Sequence, residues 1–304
     1  MSKRHNMLKT IQLLIFLTLA GCSQITMIDG SQKKSVPEKF KWKTEFYKSY
    51  EIPVGEVAFL QLPEKFPLEK SVTCGKKKVY IGLVGEDRGG WVTSAYGKKI
   101  GSSIDCKYTD EKKVILITSY KVVDKKFSSE RIHVDRKRVF ISKKDRARVN
   151  KEQVFLNSNY FNPSEVSLIS DSFILPLDSF VTSIYGTRRV FNKKKFTKHL
   201  GTDFRAAIGT DIPATNSGRV VVSRDLFYTG FTVTIDHGLG IFTVYGHLSK
   251  LLVKEGDMVK RGQVIALSGN TGRTSGPHLH WGIKIHGDYI DGNSLIKESE
   301  KVFR

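Results

Sequence analysis

The sequence predicts an all-β protein in two parts, a small β-sandwich-like region followed by a larger β region, joined by a short helical arm. Two observations predict it. Short runs rich in β-branched and aromatic residues recur from about residue 45 to 296, each bounded by Gly or charged turns. Helix-forming composition is confined to one stretch near residue 150, and almost no 3.6-residue periodicity appears elsewhere.

The first 21 residues read as a leader rather than as part of the fold. Lys3, Arg4 and Lys9 form a basic start, and Ile11 to Ala20 is an apolar run too short to span a bilayer as a stable helix. It runs into Leu19-Ala20-Gly21-Cys22, which resembles a bacterial lipobox, with cleavage before Cys22 and lipidation of its sulfur. Each buried acyl methylene contributes about 0.8 kcal/mol, so a triacylated Cys22 anchors the chain firmly to a membrane. Ser23 follows where Asp is absent, which points by resemblance to the outer membrane of a Gram-negative cell. Residues 22–43 are polar and Lys-rich and read as a tether.

Residues 44–138 carry the first β region. Its runs are Val57-Ala58-Phe59-Leu60, Val79 to Val84, Val114-Ile115-Leu116-Ile117 and Arg131-Ile132-His133-Val134. No catalytic constellation is visible there, and His133 reads as structural. Export places Cys74 and Cys106 in an oxidising compartment, where two cysteines predict one disulfide. Residues 139–171 form the arm. Ser142-Lys143-Lys144-Asp145 resembles a capping box, a helix is expected from Asp145 to about Asn159, and Asn162-Pro163 ends it.

Residues 172–298 form the second β region, opened by Phe173-Ile174-Leu175-Pro176-Leu177. Val233 to Asp236 and Ile241 to Tyr245 flank His237-Gly238-Leu239-Gly240, a hairpin signal. Further strands are expected at Gly218 to Val222, Gly262 to Ala266 and Leu279 to Ile283.

The chemistry concentrates in two short motifs. In a strand, His278 and His280 project to the same face roughly 6–7 Å apart while Leu279 points into the core. His199 and Asp203 share a face if extended, or converge through a turn at Gly201. Two imidazoles and a carboxylate suit zinc and leave a fourth position open. Each motif alone is weak. Together with Tyr245-Gly246-His247-Leu248 they are specific.

These residues resemble the lysostaphin/LytM-type zinc metallopeptidases. The resemblance covers about residues 172–294, through Thr182 to Arg189, His199-Leu200-Gly201-Thr202-Asp203, Ile235 to Gly238, Tyr245 to Leu248, Val253 to Asp257, Gly269 to Gly272 and Gly276 to Trp281. Phe127 to Val149 looks like the arm that precedes this domain in Gram-negative relatives. The resemblance implies an antiparallel-sheet peptidase domain holding one Zn2+ per chain on His199, Asp203 and His280, with His247 and His278 as the catalytic pair. His237 falls outside that set. Two positions depart from the family pattern, Thr202 and Gly292, and neither is a site residue.

The formal net charge of +20 can mean nucleic acid, but no nucleic-acid-binding motif accompanies it. The lysines are scattered, as in Lys76-Lys77-Lys78, Lys125-Lys126 and Lys193-Lys194-Lys195, and an anionic envelope polymer is the better partner. Family and location together imply peptidoglycan as substrate, with D-Ala–diaminopimelate cross-links as the bond. Arg188 and Arg189 are candidates to pair with substrate carboxylates. Two alternatives differ in class: a non-catalytic activator of amidases, which lacks zinc ligands, and a wall-binding module whose N-terminal region blocks the groove. The oligomeric state is not legible.

Overall fold

A computed structural model describes residues 48–110, 113–132, 142–191 and 195–304. The leader, Cys22 and its tether, His133 and the Lys193-Lys194 pair lie outside them.

The first region contains β1 (Ser49–Pro53), β2 (Val57–Leu62), β3 (Val72–Cys74), β4 (Lys77–Val79), β5 (Gly82–Val84), β6 (Asp87–Thr93), β7 (Ser103–Asp110) and β8 (Lys113–Val123). A five-stranded sheet of order β1-β8-β7-β3-β4 faces a three-stranded sheet of order β2-β6-β5. Both contribute to one core that includes Ile52, Leu60, Phe66, Val72, Ile104 and Val122. β7 alternates buried and exposed residues, the period-2 pattern of a half-buried antiparallel strand. The expected run Val79 to Val84 is broken at Tyr80-Ile81 into two short strands. Cys74 and Cys106 are register partners on β3 and β7 and are joined in a disulfide.

Then come β9 (Ser129–Ile132) and α1 (Lys143–Tyr160). The Ser142 side chain accepts a hydrogen bond from the Asp145 amide at 3.1 Å and caps the helix. α1 buries only Tyr160, whose ring meets Phe242 edge-on at 5.1 Å. Its outer surface is tied down by Arg148, which bonds Glu152 within the helix and Asp225 beyond it.

The second region contains β10 (Val181–Ser183), β11 (Arg188–Phe191), β12 (Lys195–Lys198), β13 (Thr202–Arg205), β14 (Asp211–Pro213), β15 (Gly218–Leu226), β16 (Gly230–Asp236) and β17 (Ile241–Leu251). It continues with β18 (Met258–Val259), β19 (Val264–Ser268), β20 (His278–Ile285), β21 (Asp288–Ile290) and α2 (Gly292–Val302). The main sheet runs β10-β13-β20-β17-β16-β15-β18, with β19 also pairing β14 and β17, and β21 pairing β20. All of these pairings are antiparallel. β16 and β17 form the expected hairpin.

Trp91, Val57 and Val84 of the first region join the core beneath this sheet, beside Trp281, Ile283 and Leu295. The described residues therefore form one compact unit.

The helix α2 lies where the sequence reading expected only β structure. Its inward face carries Leu295, fully buried in the core with Ile296 and Val302 packed against it, and two serines that bond to neighbouring backbone. Ser294 accepts from the Val57 amide at 3.0 Å, and Ser299 accepts from the Phe173 amide at 2.9 Å. Asp291 caps it. A β-carbon on Gly292 would come within 2.3 Å of the Trp281 ring, so the glycine lets the helix start directly against the strand that carries His280.

Candidate metal centre and histidine pair

Two strands and one turn deliver the candidate ligands. β20 pairs with β13 on one side, where His280 faces Asp203, and with β17 on the other, where His280 faces Gly246. His199 lies between β12 and β13, in the turn through Gly201 rather than in a strand. Its backbone is pinned to the Gly186-Thr187 loop by two hydrogen bonds of 2.7 and 2.9 Å. Of the two geometries open from sequence, the structure adopts the turn. A β-carbon on Gly201 would meet Cε1 of His280 at 2.5 Å, so this glycine lets the ring lie across the turn.

The donor atoms converge. Asp203 Oδ1 lies 2.9 Å from His199 Nε2 and 2.8 Å from His280 Nδ1, and those two nitrogens are 3.2 Å apart. Zinc bonds of about 2.0–2.2 Å in tetrahedral array place ligand atoms roughly 3.3 Å apart, so the three donors close around a cation with small adjustments. His199 and Asp203 are buried and His280 is half-buried. Burial alone would raise the Asp203 pKa, but the imidazoles of His199 and His280 against Oδ1 outweigh it and hold the carboxyl well below the usual range. Burial pushes the His199 pKa down and favours the neutral ring a metal needs. The Nδ1–H of His199 points at the Ile184 carbonyl, 3.1 Å away, which leaves Nε2 as the donor to metal.

His247 and His278 stand beside this cluster with ring centroids 4.6 Å apart. His278 follows the strand alternation, and its Nε2 is 3.8 Å from Asp203 Oδ1. His247 does not follow it. A bulge in β17 and a left-handed backbone at His247, with φ of 62°, turn its ring away from the path of fully buried Tyr245. Both rings are held the same way: His247 Nδ1–H donates to the Thr271 carbonyl at 2.8 Å, and His278 Nδ1–H to the Gly276 carbonyl at 2.9 Å. Each therefore keeps an unprotonated Nε2 as a proton acceptor when neutral. Burial lowers the pKa of His247 to about 4, so it is neutral at physiological pH.

Residues 197–292 match the family model described as Peptidase family M23. This chain carries a Peptidase family M23 domain. The chain is 46% identical to the peptidoglycan DD-endopeptidase ShyA of Vibrio cholerae over 115 positions, which are 37% of this chain and 27% of that protein. The DD-carboxypeptidase/endopeptidase Mpg of Neisseria meningitidis is 38% identical over 97 positions, 32% of this chain and 22% of that protein. The matched stretch is thus under a third of the length of these relatives. A crystal structure from Pseudomonas aeruginosa assigned to peptidase M23 matches more of the chain, with a TM-score of 0.63 and 27% identity over 81% of this chain and 95% of that one. That likeness extends the shared architecture beyond the M23 domain into the N-terminal β region.

The structure places all five sequence-predicted residues of the M23 domain, His199, Asp203, His247, His278 and His280, around one point. His237 lies apart and fully buried, with Nδ1 bonded to the Ser217 carbonyl and Nε2 to the Thr243 hydroxyl. The sequence reading missed what holds the ligands. Arg189, read as a candidate for substrate carboxylates, instead donates to Asp203 Oδ2 at 3.1 Å and to Ser183 Oγ at 2.7 Å. Arg188 donates to the Tyr96 hydroxyl at 3.2 Å. Both arginines sit in the motif Thr182 to Arg189, but nothing in one dimension says which way each guanidinium turns.

Proposed function

We propose that this protein is a zinc-dependent endopeptidase that hydrolyses peptide cross-links of peptidoglycan, with D-Ala–diaminopimelate as the bond cut. The carrying observation is the pairing of a closed three-donor cluster with two imidazoles that present Nε2 beside it. The printed activities of the matched relatives support the substrate class. The complete donor set runs against the amidase-activator alternative.

His199, Asp203 and His280 would hold the metal, three protein ligands with a fourth position left for water or substrate. When bound, zinc supplies Lewis acidity and lowers the pKa of water toward about 7. His247, neutral and anchored through Thr271, accepts the proton of the attacking water at Nε2. His278, anchored through Gly276, faces the same point and, once protonated, stabilises the developing oxyanion or delivers a proton to the leaving amine.

The lipobox-like Leu19-Ala20-Gly21-Cys22 motif supports a lipid-anchored enzyme at the outer membrane, on the periplasmic side, where this substrate lies. Digestion of purified sacculi tests the reading. Wild-type protein should release monomeric muropeptides from cross-linked dimers, and His280→Ala should release none. Release of cross-linked peptide dimers free of muramic acid would replace the endopeptidase reading with an amidase one.

A further inference from the structure

We propose that Arg189 and Glu130 form a positioning pair that holds the Asp203 carboxylate in its zinc-binding orientation, so that a strand leading out of the N-terminal β region helps set metal affinity. This deepens the zinc-site reading above and rests on it.

The pair is built by the backbone. β9 runs parallel to β11, and Glu130 is the register partner of Arg189. Arg189 Nε lies 3.5 Å from Glu130 Oε2, while Nη2 reaches inward to Asp203 Oδ2. Asp203 is thereby divided. Oδ1 faces both ligand imidazoles, and Oδ2 is taken by a charged donor. A carboxylate held this way meets a cation through one oxygen and leaves the remaining position open. The same Nη2 donates to Ser183 Oγ, which lies 3.2 Å from His199 Nδ1. One guanidinium thus braces two of the three ligands from behind.

Charge explains why Glu130 is needed. A cation near a divalent metal repels it, and Arg189 is only one carboxylate away. Glu130, on the outer side of Arg189, offsets that charge without touching the ligands. Orientation outweighs the residual repulsion because Asp203 is buried: without Arg189, Oδ2 would be a desolvated anionic oxygen lacking its donor, free to swing toward the metal or take a proton. Both Glu130 and Arg189 lie outside the stretch 197–292 that matches the family model.

The test measures zinc affinity of the full chain by competition with a chromogenic chelator, alongside melting of the metal-free protein. Arg189→Met should weaken zinc binding about 10- to 100-fold, the range for loss of a group that orients a ligand. Arg189→Lys should recover part of this, since it keeps the charge and loses the fork. Ser183→Ala and Glu130→Gln should each weaken it a few-fold, the latter more at low salt. Zinc affinity of Arg189→Met within twofold of wild type overturns the proposal. So does weaker binding that only tracks a lower melting temperature of the metal-free protein across Arg189→Lys, Ser183→Ala and Glu130→Gln, which is also how the question is decided if Arg189→Met does not fold. Wild-type protein that binds zinc but cleaves no sacculi overturns the endopeptidase reading and leaves this one standing; wild-type protein that binds no zinc overturns both.

Discussion

Gly201 lies against His280: a β-carbon at residue 201 would approach His280 Cε1 to 2.5 Å and Nε2 to 2.8 Å. The turn that brings His199 to Asp203 therefore also fixes how the third ligand lies. Backbone at Trp281 stands 2.7 Å from the same point, so the clash is not relieved by the ring alone. Gly201→Ala should displace His280 and lower zinc affinity at least tenfold while the rest of the fold persists. Zinc titration and circular dichroism of the variant check this; wild-type zinc affinity would contradict it.

His278 and His280 are two residues apart and should fail differently. His278→Ala should retain stoichiometric zinc and lose a factor of about 10² to 10⁴ in turnover, the usual contribution of a positioned proton-transfer group. His280→Ala should lose the metal as well as the activity. Metal analysis of both purified variants separates the cases, and zinc loss in His278→Ala would exchange their roles.

Two buried histidines away from the site make stability depend on pH. Burial lowers His237 and His286 to about 4, against about 6.5 in the unfolded chain. Between those values the unfolded chain binds protons that the folded chain refuses. The stability is fully present above pH 6.5 and is lost as pH falls through 4. Each histidine contributes about 3 kcal/mol to that loss. Melting temperature should be steady from pH 8 to 7 and fall steeply from 6 to 4; a flat profile down to pH 4 would count against it.

Cys74 and Cys106 close a loop with a sequence separation of 32 inside the N-terminal core. Unfolded, non-reduced protein should show neither of these two thiols by titration. Reduction should destabilise the protein by roughly 3–4 kcal/mol in the chain-entropy model. Because Trp91, Val57 and Val84 link this region to the core under the metal site, loss of the bridge should also lower the melting temperature of the catalytic region rather than of the first sheet alone.

The sequence by itself determined what local chemistry and local periodicity can carry. It determined the all-β class, the capped helix after Ser142 and the His237–Gly240 hairpin turn, because each depends on residue type and near-neighbour spacing, while the five candidate site residues came from the resemblance to the lysostaphin/LytM-type peptidases. The tertiary structure alone decided the relations that run across strands. The bulge that turns His247 toward His278 arises from pairing with β16, and the anchoring of both rings comes from carbonyls in the segment Thr271 to Gly276. The helix α2 escaped the sequence reading because it is only 11 residues long and follows directly on strands, although Leu295 is buried in the core and Ile296 and Val302 pack against it. Arg189 looked free in one dimension because its partners, Glu130 and Asp203, lie 59 and 14 residues away and meet it only when β9 lies along β11. Spacing along a chain encodes which side chains share a face. Which faces then meet is set by packing and register, and that is where the support behind the metal ligands was decided.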